Sequence, residues 1–215
     1  MGRTTQTTTN HQKQGQSAIT LVDDYTYDHA GRLTQHTQTL NGNQETLLQN
    51  TYDELGQLVQ KTLGGGLQTV DYRYNVRGWL RHINDSDNLG YEDLFGFEIN
   101  YGNLYNGNIQ NTYWTTANDH IQHRYSYYYD GLDRLTSAYH YAPGMGWGTY
   151  NVNGIQYDRN GNLKRLIRRG FEGVGIDYLD YSYQGNQLQS VTDDYAHSEG
   201  LNDRNTTGND YTYDP

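Results

Sequence analysis

A short motif recurs along this 215-residue chain and constrains its fold more than any other feature. In its fullest form it spans Tyr27 to Leu33: a tyrosine, an aspartate, two variable residues, a glycine, one more residue and a leucine. Asp suits the first corner of a type I turn because its side chain accepts hydrogen bonds from the backbone ahead of it. Gly suits the fourth position, where positive φ returns the chain to a strand through a one-residue bulge. The motif therefore predicts two strands joined by a tight turn.

The motif occurs in five full copies and three shorter ones. The full copies comprise Tyr27, Asp28, Gly31 and Leu33; Tyr52, Asp53, Gly56 and Leu58; Tyr74, Asn75, Gly78 and Leu80; Tyr129, Asp130, Asp133 and Leu135; Tyr157, Asp158, Gly161 and Leu163. Two shortened copies lie at Tyr105 and Gly107 and at Tyr183, Gly185 and Leu188, and an eighth begins at Tyr213 and Asp214. Successive motif tyrosines are 22 to 31 residues apart. A recurrence of this length is typical of repeat architectures.

One full copy departs from the pattern, since Asp133 stands where the others have glycine. Aspartate is among the few non-glycine residues that tolerate left-handed backbone. We therefore interpret this copy as a weakened turn of the same kind.

The stretches between the motifs predict hairpins that return the chain. Asn41-Gly42 is a strong signal for a two-residue turn with positive φ at both positions, and Gly64-Gly65-Gly66 predicts another reversal. A further hairpin is predicted over Leu166 to Ile176, with Arg168-Arg169-Gly170 as its tip. Each repeat then contributes two strands, with the motif turn at one end and a variable loop at the other. The sequence predicts an all-β antiparallel β-hairpin repeat array of roughly fourteen strands.

The composition favours a thin sheet over a thick globule. Only 33% of residues are hydrophobic, and 23 are tyrosines against 3 phenylalanines. Tyrosine favours strands and covers a sheet face while keeping its hydroxyl hydrogen-bonded. Disorder is the alternative suggested by a mean hydropathy of −1.00, but the 13% of aromatic residues and their regular spacing argue against it.

The chain divides into two parts at the sequence level. Residues 1–18 are rich in Thr, Gln and Gly without periodicity, and we expect a flexible polar lead-in there. Residues 19–215 form the repeat array, which we expect to be truncated at the start of a further repeat. Irregular sequence at residues 84–104 interrupts the array.

Several partner classes are disfavoured. A net charge of −10 disfavours nucleic acid, because phosphate neutralisation requires a basic face. No apolar run approaches ~20 residues, so we expect no membrane span. We find no targeting signal within this sequence. The absence of Cys excludes disulfides and thiolate metal sites.

Groups that could carry chemistry give weak signals. Asp23-Asp24 and Asp193-Asp194 would point to opposite faces of a strand, so we interpret both pairs as a solvated acidic edge. His120 and His123 have the spacing of two helical metal ligands, but a strand is expected there and no third ligand is in view. No nucleophile motif occurs. We expect no enzyme activity, no metal site and no cofactor.

A calcium loop is the remaining metal candidate. Asp203, Asn205, Thr207 and Gly208 resemble one that lacks its bidentate glutamate. Asp214 lies at the position of that glutamate, but it is already assigned as the aspartate of the eighth motif copy. We therefore do not favour calcium here.

The aromatic residues divide into two groups. Tyrosines two residues apart, such as Tyr25 and Tyr27, share a strand face and are expected to stack across neighbouring hairpins. The tryptophans Trp79, Trp114 and Trp147 do not recur in phase with the repeat. They could be platforms for sugar rings, but we expect them to fill the sheet face.

With these motifs, the chain resembles the RHS/YD-repeat family of bacterial surface and secreted polypeptides over residues 19 to 215. The resemblance rests on the phased Tyr-Asp-x-x-Gly copies and on variants such as Tyr129 to Ala138. It implies a strip of β-hairpins that curls into an open spiral or partial shell. In toxin-associated members such a shell encloses a C-terminal effector, and in animal teneurins it belongs to a cell-adhesion receptor. Asp214-Pro215 is superficially similar to the family's self-cleavage segment, but we assign no cleavage site.

The resemblance leads to two functional hypotheses. The first is a non-catalytic structural segment of a larger exported or cell-surface polypeptide, whose partner is the remainder of its own parent chain. The second is a glycan- or cell-surface-binding adhesion module that uses the aromatic face, with carbohydrate as the partner. The first predicts an extracellular location through the parent protein.

Overall fold

The computed structural model describes residues 2–195, 197–201 and 208–214, and these form fifteen β-strands and two short 3₁₀ turns, Gly64–Gly66 and Phe171–Gly173. Within the first unit β1 to β8 pair antiparallel in sequence order, and within the second unit β9 to β15 do the same. The predicted all-β antiparallel hairpin array is therefore confirmed. The chain forms two compact units, one from residues 1–98 and 115–120, the other from residues 99–114 and 121–215.

The first unit contains the first seven strands and most of the eighth. They are β1 Gln6–His11, β2 Ile19–Tyr27, β3 Leu33–Leu40, β4 Asn43–Tyr52, β5 Leu58–Leu63, β6 Gln68–Tyr74, β7 Leu80–Ile83 and β8 Phe95–Asn100. The turn between β3 and β4 is the predicted two-residue loop, with φ of +48° at Asn41 and +90° at Gly42. All three glycines of Gly64–Gly66 also have positive φ and reverse the chain between β5 and β6.

The second unit contains the later strands. They are β9 Asn111–Thr116, whose last two residues belong to the first unit, β10 His123–Tyr129, β11 Leu135–Tyr141, β12 Val152–Tyr157, β13 Leu163–Arg169, β14 Gly175–Gln184 and β15 Gln187–Asp193. The pairing of β11 with β12 is short, with a single residue pair, Ala138 and Val152. The β13–β14 and β14–β15 ladders are longer.

Strand β1 lies within the lead-in for which the sequence predicts a flexible polar segment. Its six residues, all exposed, pair in register with β2 from Gln6 opposite Asp24 to His11 opposite Ile19. The hydrogen bonds of the ladder are made by the backbone and need no apolar side chain. A threonine-rich segment can therefore form a strand that no hydrophobic pattern predicts.

The tip of the β13–β14 hairpin also differs from the sequence prediction. Arg168-Arg169-Gly170 was the expected tip, but Arg168 still pairs with Asp177 within the ladder. The reversal comes at Glu172 and Gly173, with φ of +54° and +73°. A glutamate in left-handed backbone is uncommon, which is why the sequence did not indicate this turn.

The apolar core lies in the second unit. The described apolar side chains that are less than one-tenth exposed are Ala138, Ala142, Ile155, Ile176, Leu179 and Val191. In the first unit most strand residues are half-buried, and the buried side chains are polar: Asn84, Ser86 and Thr115. The two units therefore share a backbone plan but differ in what they bury.

Candidate functional site: the motif turns and what surrounds them

The five full motifs all form turns closed by the same hydrogen bonds. In the second copy the Asp53 N–H donates to the Gln57 carbonyl (2.9 Å), and the Gly56 N–H donates to the Asp53 carbonyl (3.0 Å). The Gln57 N–H also donates to Oδ1 of Asp53 (2.8 Å). Equivalent bonds close the turns that begin at Asp28, Asn75, Asp130 and Asp158. The acidic or amide side chain is therefore part of the turn itself.

The second carboxylate oxygen is also used in three of these turns. Arg32 Nε donates to Asp28 (2.6 Å), Arg134 Nε donates to Asp130 (2.8 Å), and the Asn162 amide donates to Asp158 (2.9 Å). These bonds stabilise the ionised form. The pKa of Asp28 is lowered chiefly by the Arg32 backbone N–H, that of Asp130 by the Arg134 side chain and that of Asp158 by the Asn162 side chain.

Glycine at the fourth position has a conformational reason. Gly31, Gly56, Gly78 and Gly161 have φ between +77° and +89°, and Asp133 in the exceptional copy has φ of +62°. Directly after each turn the motif tyrosine pairs with the motif leucine, as Tyr52 does with Leu58, and the register shifts by one residue beyond that pair. Positive φ at this position lets the chain re-enter the ladder.

Successive repeats are joined through the tyrosine hydroxyl. Tyr52 donates to the carbonyl of Leu33, the motif leucine of the preceding repeat, at 3.0 Å. The same bond joins Tyr74 to Leu58 (2.9 Å), Tyr157 to Leu135 (2.8 Å) and Tyr213 to Leu188 (2.8 Å). Tyr129 donates at 2.7 Å to Ile109, which holds the leucine position of the shortened copy. The tyrosine thus contributes a directed contact as well as apolar area.

An arginine before the leucine adds a second link between repeats. The guanidinium of Arg32 lies 4.5 Å from the ring centroid of Tyr52 in the next repeat, and Arg134 lies 4.5 Å from that of Tyr157. Cation–π contacts of this kind are favourable at partly exposed sites. Arg32 therefore stabilises its own turn through its ion pair with Asp28 and contacts the next repeat through the Tyr52 ring.

The shortened copies keep parts of this arrangement. Gly107 has φ of +96°, and the Asn108 N–H donates to the Asn106 side chain (3.1 Å). At the other copy Gly185 has φ of +63°, and Gln184 pairs directly with Gln187 across a two-residue loop. Tyr183 pairs with Leu188. Asp214 is exposed and lies outside any described strand.

The adjacent carboxylates are hydrogen-bonded more than the sequence suggested. Oδ1 of Asp23 accepts from Gln38 and contacts the His36 ring (both 2.9 Å), which lowers the Asp23 pKa, with Gln38 as the larger cause. Asp193 accepts from the backbone N–H groups of Tyr178 and Tyr195. The prediction of a solvated acidic edge is therefore wrong for Asp23 and Asp193, because neighbouring strands and loops supply donors.

No group of three or more His, Cys, Asp or Glu in the part of the chain that the structure describes could hold a metal ion. His123 contacts His140 through ring nitrogens 3.0 Å apart. Asp203, Asn205 and Thr207 of the calcium candidate lie outside the described residues.

A cluster of aromatic rings in the second unit was not predicted. Trp114 stacks on His123 at 5.1 Å and on Tyr125 at 5.6 Å between centroids, and His140 packs against all three. Burial lowers the pKa of His140, and His123 lowers it further. These residues come from β9, β10 and β11, so only the strand register could have revealed the cluster.

Asp177 is a second feature that the sequence did not indicate. Its side chain is fully buried, forms an ion pair with Arg168 and accepts a hydrogen bond from the Leu201 N–H (2.6 Å). It therefore ties residues near 200 to β14.

Of the three tryptophans, Trp147 departs from the prediction. It is 93% exposed, in the loop between β11 and β12, so it does not fill a sheet face. Trp114 is half-buried within the aromatic cluster. Trp79 is also half-buried, with the Arg77 guanidinium 5.0 Å from its ring centroid.

No protein-family model and no curated protein matches this chain. Among solved structures it is similar to the Tc holotoxin pore of Photorhabdus luminescens, with 15% identity and a TM-score of 0.37 over 85% of this chain and 14% of that one. It is also similar to a porin-like protein of Bacteroides uniformis, with 11% identity and a TM-score of 0.28 over 88% and 97% of the two chains. These likenesses assign neither a family nor a function.

The described residues also contain no helix that is long and apolar enough to cross a membrane.

Proposed function

We propose that this chain is a non-catalytic structural segment of a larger exported or cell-surface RHS/YD-repeat polypeptide. In this role it forms part of the wall of a β-shell that encloses or displays a C-terminal effector. Its principal partner is the remainder of its own parent chain.

The main support for the proposal is the hydrogen bond that recurs between successive motifs, which we call the joint. A tyrosine hydroxyl of one repeat is bonded to the leucine carbonyl of the previous one at Tyr52, Tyr74 and Tyr157, and again at Tyr129 through Ile109. Contacts that recur between neighbours favour an extended wall, because stability in such arrays comes from repeat and neighbour terms.

The use of the motif carboxylates supports a non-catalytic role. Asp28 and Asp130 each accept from a backbone N–H and from an arginine of the same turn. A general base needs access to a substrate proton and a pKa near the working pH. These carboxylates have donors on both oxygens and lowered pKa values, which suits turn formation.

The proposal is tested on the parent polypeptide by limited proteolysis. Resistance of its C-terminal portion is compared between the natural protein and a variant with Tyr52→Phe and Tyr157→Phe, which removes two joints while keeping the rings. We expect a protected C-terminal portion that becomes cleavable in the variant. A C-terminal portion that is digested at the same rate in both would overturn the shell role.

A second candidate function, carbohydrate-binding adhesion, is favoured by one group of exposed aromatic side chains. Trp147 is 93% exposed, and Tyr150 and Phe171 on adjoining loops are 42% and 56% exposed, with their ring centroids 6.5 Å apart. The two loops are joined by the Tyr150 N–H, which donates to the Gly170 carbonyl (3.1 Å). Exposed aromatic faces of this kind can stack on sugar rings.

A glycan array distinguishes the two functions. Adhesion predicts saturable binding that is lost in Trp147→Ala and retained in Trp79→Phe, a substitution at a tryptophan outside these loops. Absence of binding to any glycan, or equal binding by both variants, would leave the structural role as the supported one.

A further inference from the structure

The inference begins with the residue that precedes the motif leucine. In two repeats this residue is an arginine, Arg32 or Arg134, and its guanidinium lies over the motif tyrosine of the next repeat. Arg134 Nη1 also lies 3.4 Å from the Asp158 carbonyl at the start of the next turn. Arg134 thus lies between a tyrosine ring and a turn carbonyl, and Arg32 shares the contact with the ring.

The repeat that precedes Tyr129 lacks this arginine. Asn108 holds the position before Ile109, and its short side chain reaches only the Asp133 carbonyl, at 3.5 Å. Tyr129 still makes the usual hydroxyl bond to the previous repeat, at the Ile109 carbonyl. The hydroxyl bond is therefore present here without an arginine, as it is at Tyr74, where Gln57 precedes the leucine.

A cavity of about 400 Å³ lies at this place, within the second unit. Its lining includes Leu104, Asn108, Tyr129, Asp130 and Asp133. We call it the Asn108 cavity.

Strand pairing explains why the cavity is open. The β9–β10 ladder ends at the Asn111–Ser126 pair, followed by one bond from the Tyr127 N–H to the Gln110 carbonyl (2.9 Å). Strand β10 continues to Tyr129 beside the irregular residues 101–110.

The exceptional aspartate lies beside the short side chain of Asn108. A Cβ added at Gly56 would lie 2.7 Å from the Arg32 guanidinium, and one at Gly78 would lie 3.1 Å from the Gln57 amide. Long side chains from the previous repeat therefore crowd these two positions, whereas a Cβ added at Gly161 would meet nothing within 4 Å. With Asn108 as the preceding residue, a side chain fits, and Asp133 occupies the position with φ of +62°.

Asp133 adds a negative charge at the edge of the cavity. The residue is exposed, and no donor to its carboxylate is found among residues 2–195, 197–201 and 208–214. The neighbouring Asp130 carboxylate, in contrast, is bonded to Arg134.

We propose that the Asn108 cavity binds a guanidinium group supplied from outside the chain. The Tyr129 ring provides the cation–π face, the Asp130 carbonyl is equivalent to the Asp158 carbonyl that accepts from Arg134, and Asp133 forms an ion pair with the ligand. Arg134 is the internal template for this pose, and Arg32 is a template for its cation–π part. The net charge of −10 attracts a cationic ligand to the surface.

The experiment titrates the chain with agmatine, a small guanidinium compound, and follows backbone amide signals by NMR. We expect saturable shifts centred on residues 104–111 and 127–134, with a dissociation constant on the order of 1 mM. The neutral analogue butylurea should give no saturable shift. Unsaturable shifts spread over the acidic surface, or equal shifts with butylurea, would overturn the proposal.

Two variants remove binding in different ways. Asn108→Arg supplies the missing arginine from within and should abolish agmatine binding while raising Tm, which shows that the variant is folded. Asp133→Asn keeps a residue that tolerates positive φ but removes the charge, and should weaken binding about fivefold. Glu54→Gln, in another turn, is the charge-matched control and should bind as the natural chain does. Unchanged binding by Asn108→Arg would refute the site.

The source of the guanidinium is distinguished with a short peptide, acetyl-Gly-Arg-Gly-amide. Binding at least tenfold tighter than that of agmatine would identify an arginine of a protein segment as the ligand. Equal affinity for both would identify a free guanidinium compound. Binding of neither contradicts the proposal.

Discussion

The two units use the same turn but bury different side chains. In the first unit Tyr52 and Tyr74 make the hydroxyl joint, as Tyr129 and Tyr157 do in the second. Yet, in the part of the chain that the structure describes, the buried apolar side chains all belong to the second unit, together with the aromatic cluster and the buried Asp177.

This difference shows that the repeat motif determines the order of the strands but does not determine which side chains are buried. Turn bonds, ladders and tyrosine joints suffice to order the first unit, whose strand side chains are mostly half-buried. The second unit adds apolar burial on the same plan. Because burial contributes roughly 25 cal/mol per Å² of apolar area, the units should respond differently to loss of a side chain.

The largest expected effect comes from matched leucine truncations. Leu179→Ala removes a buried side chain of β14 and should lower the free energy of unfolding by about 2–4 kcal/mol, because it leaves a cavity. Leu48→Ala in β4, where the side chain is half-buried, should cost only about 1 kcal/mol. Urea denaturation measures both. Equal losses would contradict the contrast between the units.

Alanine substitutions at two motif glycines should give the next largest effect. Gly56→Ala is strained by φ of +86° and forces the Arg32 guanidinium to move, so we expect a loss of about 2 kcal/mol. Gly161→Ala has φ of +89° but meets nothing within 4 Å, so only the backbone term of about 1 kcal/mol applies. The same denaturation assay measures this difference, and a larger loss at Gly161 would show that the arginine contact is unimportant.

Removal of single tyrosine hydroxyls should affect the two units equally. Tyr52→Phe and Tyr157→Phe each delete one hydrogen bond to a leucine carbonyl and should each cost about 1 kcal/mol. Amide hydrogen exchange near Leu33 and Leu135 would locate the change. A clearly unequal pair would mean that the joints are not equivalent.

The smallest effect is a pH dependence confined to the second unit. The pKa of His140 is lowered in the folded protein by burial and then by His123, so the unfolded chain binds more protons below the ordinary value of 6.5. Stability should therefore fall as pH decreases from 7 through 6.5 toward 5. His140→Gln should remove this part of the slope in Tm against pH. An unchanged slope would assign the dependence to other groups.

Much of the fold could be predicted because the turn signals are local. Asn41-Gly42 and Gly64–Gly66 specify their own backbone geometry, and both lie where the chain reverses. The motif turns, including the one with Asp133, are likewise set by residues within one turn of each other. The sequence did not predict strand β1, because its side chains are all polar and show no alternation between an apolar and a polar face.

What could not be predicted depends on contacts distant in sequence. His140 meets Trp114 and His123 only when the register of β9, β10 and β11 is known. The pairing of Asp177 with Arg168 and Leu201 depends on a hairpin whose tip lay elsewhere than predicted. The Asn108 cavity lies where the β9–β10 ladder ends, so it could be located only from the strand register.

The joint from tyrosine hydroxyl to leucine carbonyl has a consequence for how such a chain can change length. Its acceptor belongs to the main chain, so it does not depend on which side chain stands at that position, as Ile109 illustrates. Excising or duplicating one whole period, from the residue after one motif leucine to the next motif leucine, would bring a donor and an acceptor of the same kind together. Growth and shortening by entire repeats are therefore tolerated at these junctions, whereas loss of a few residues within a period is not.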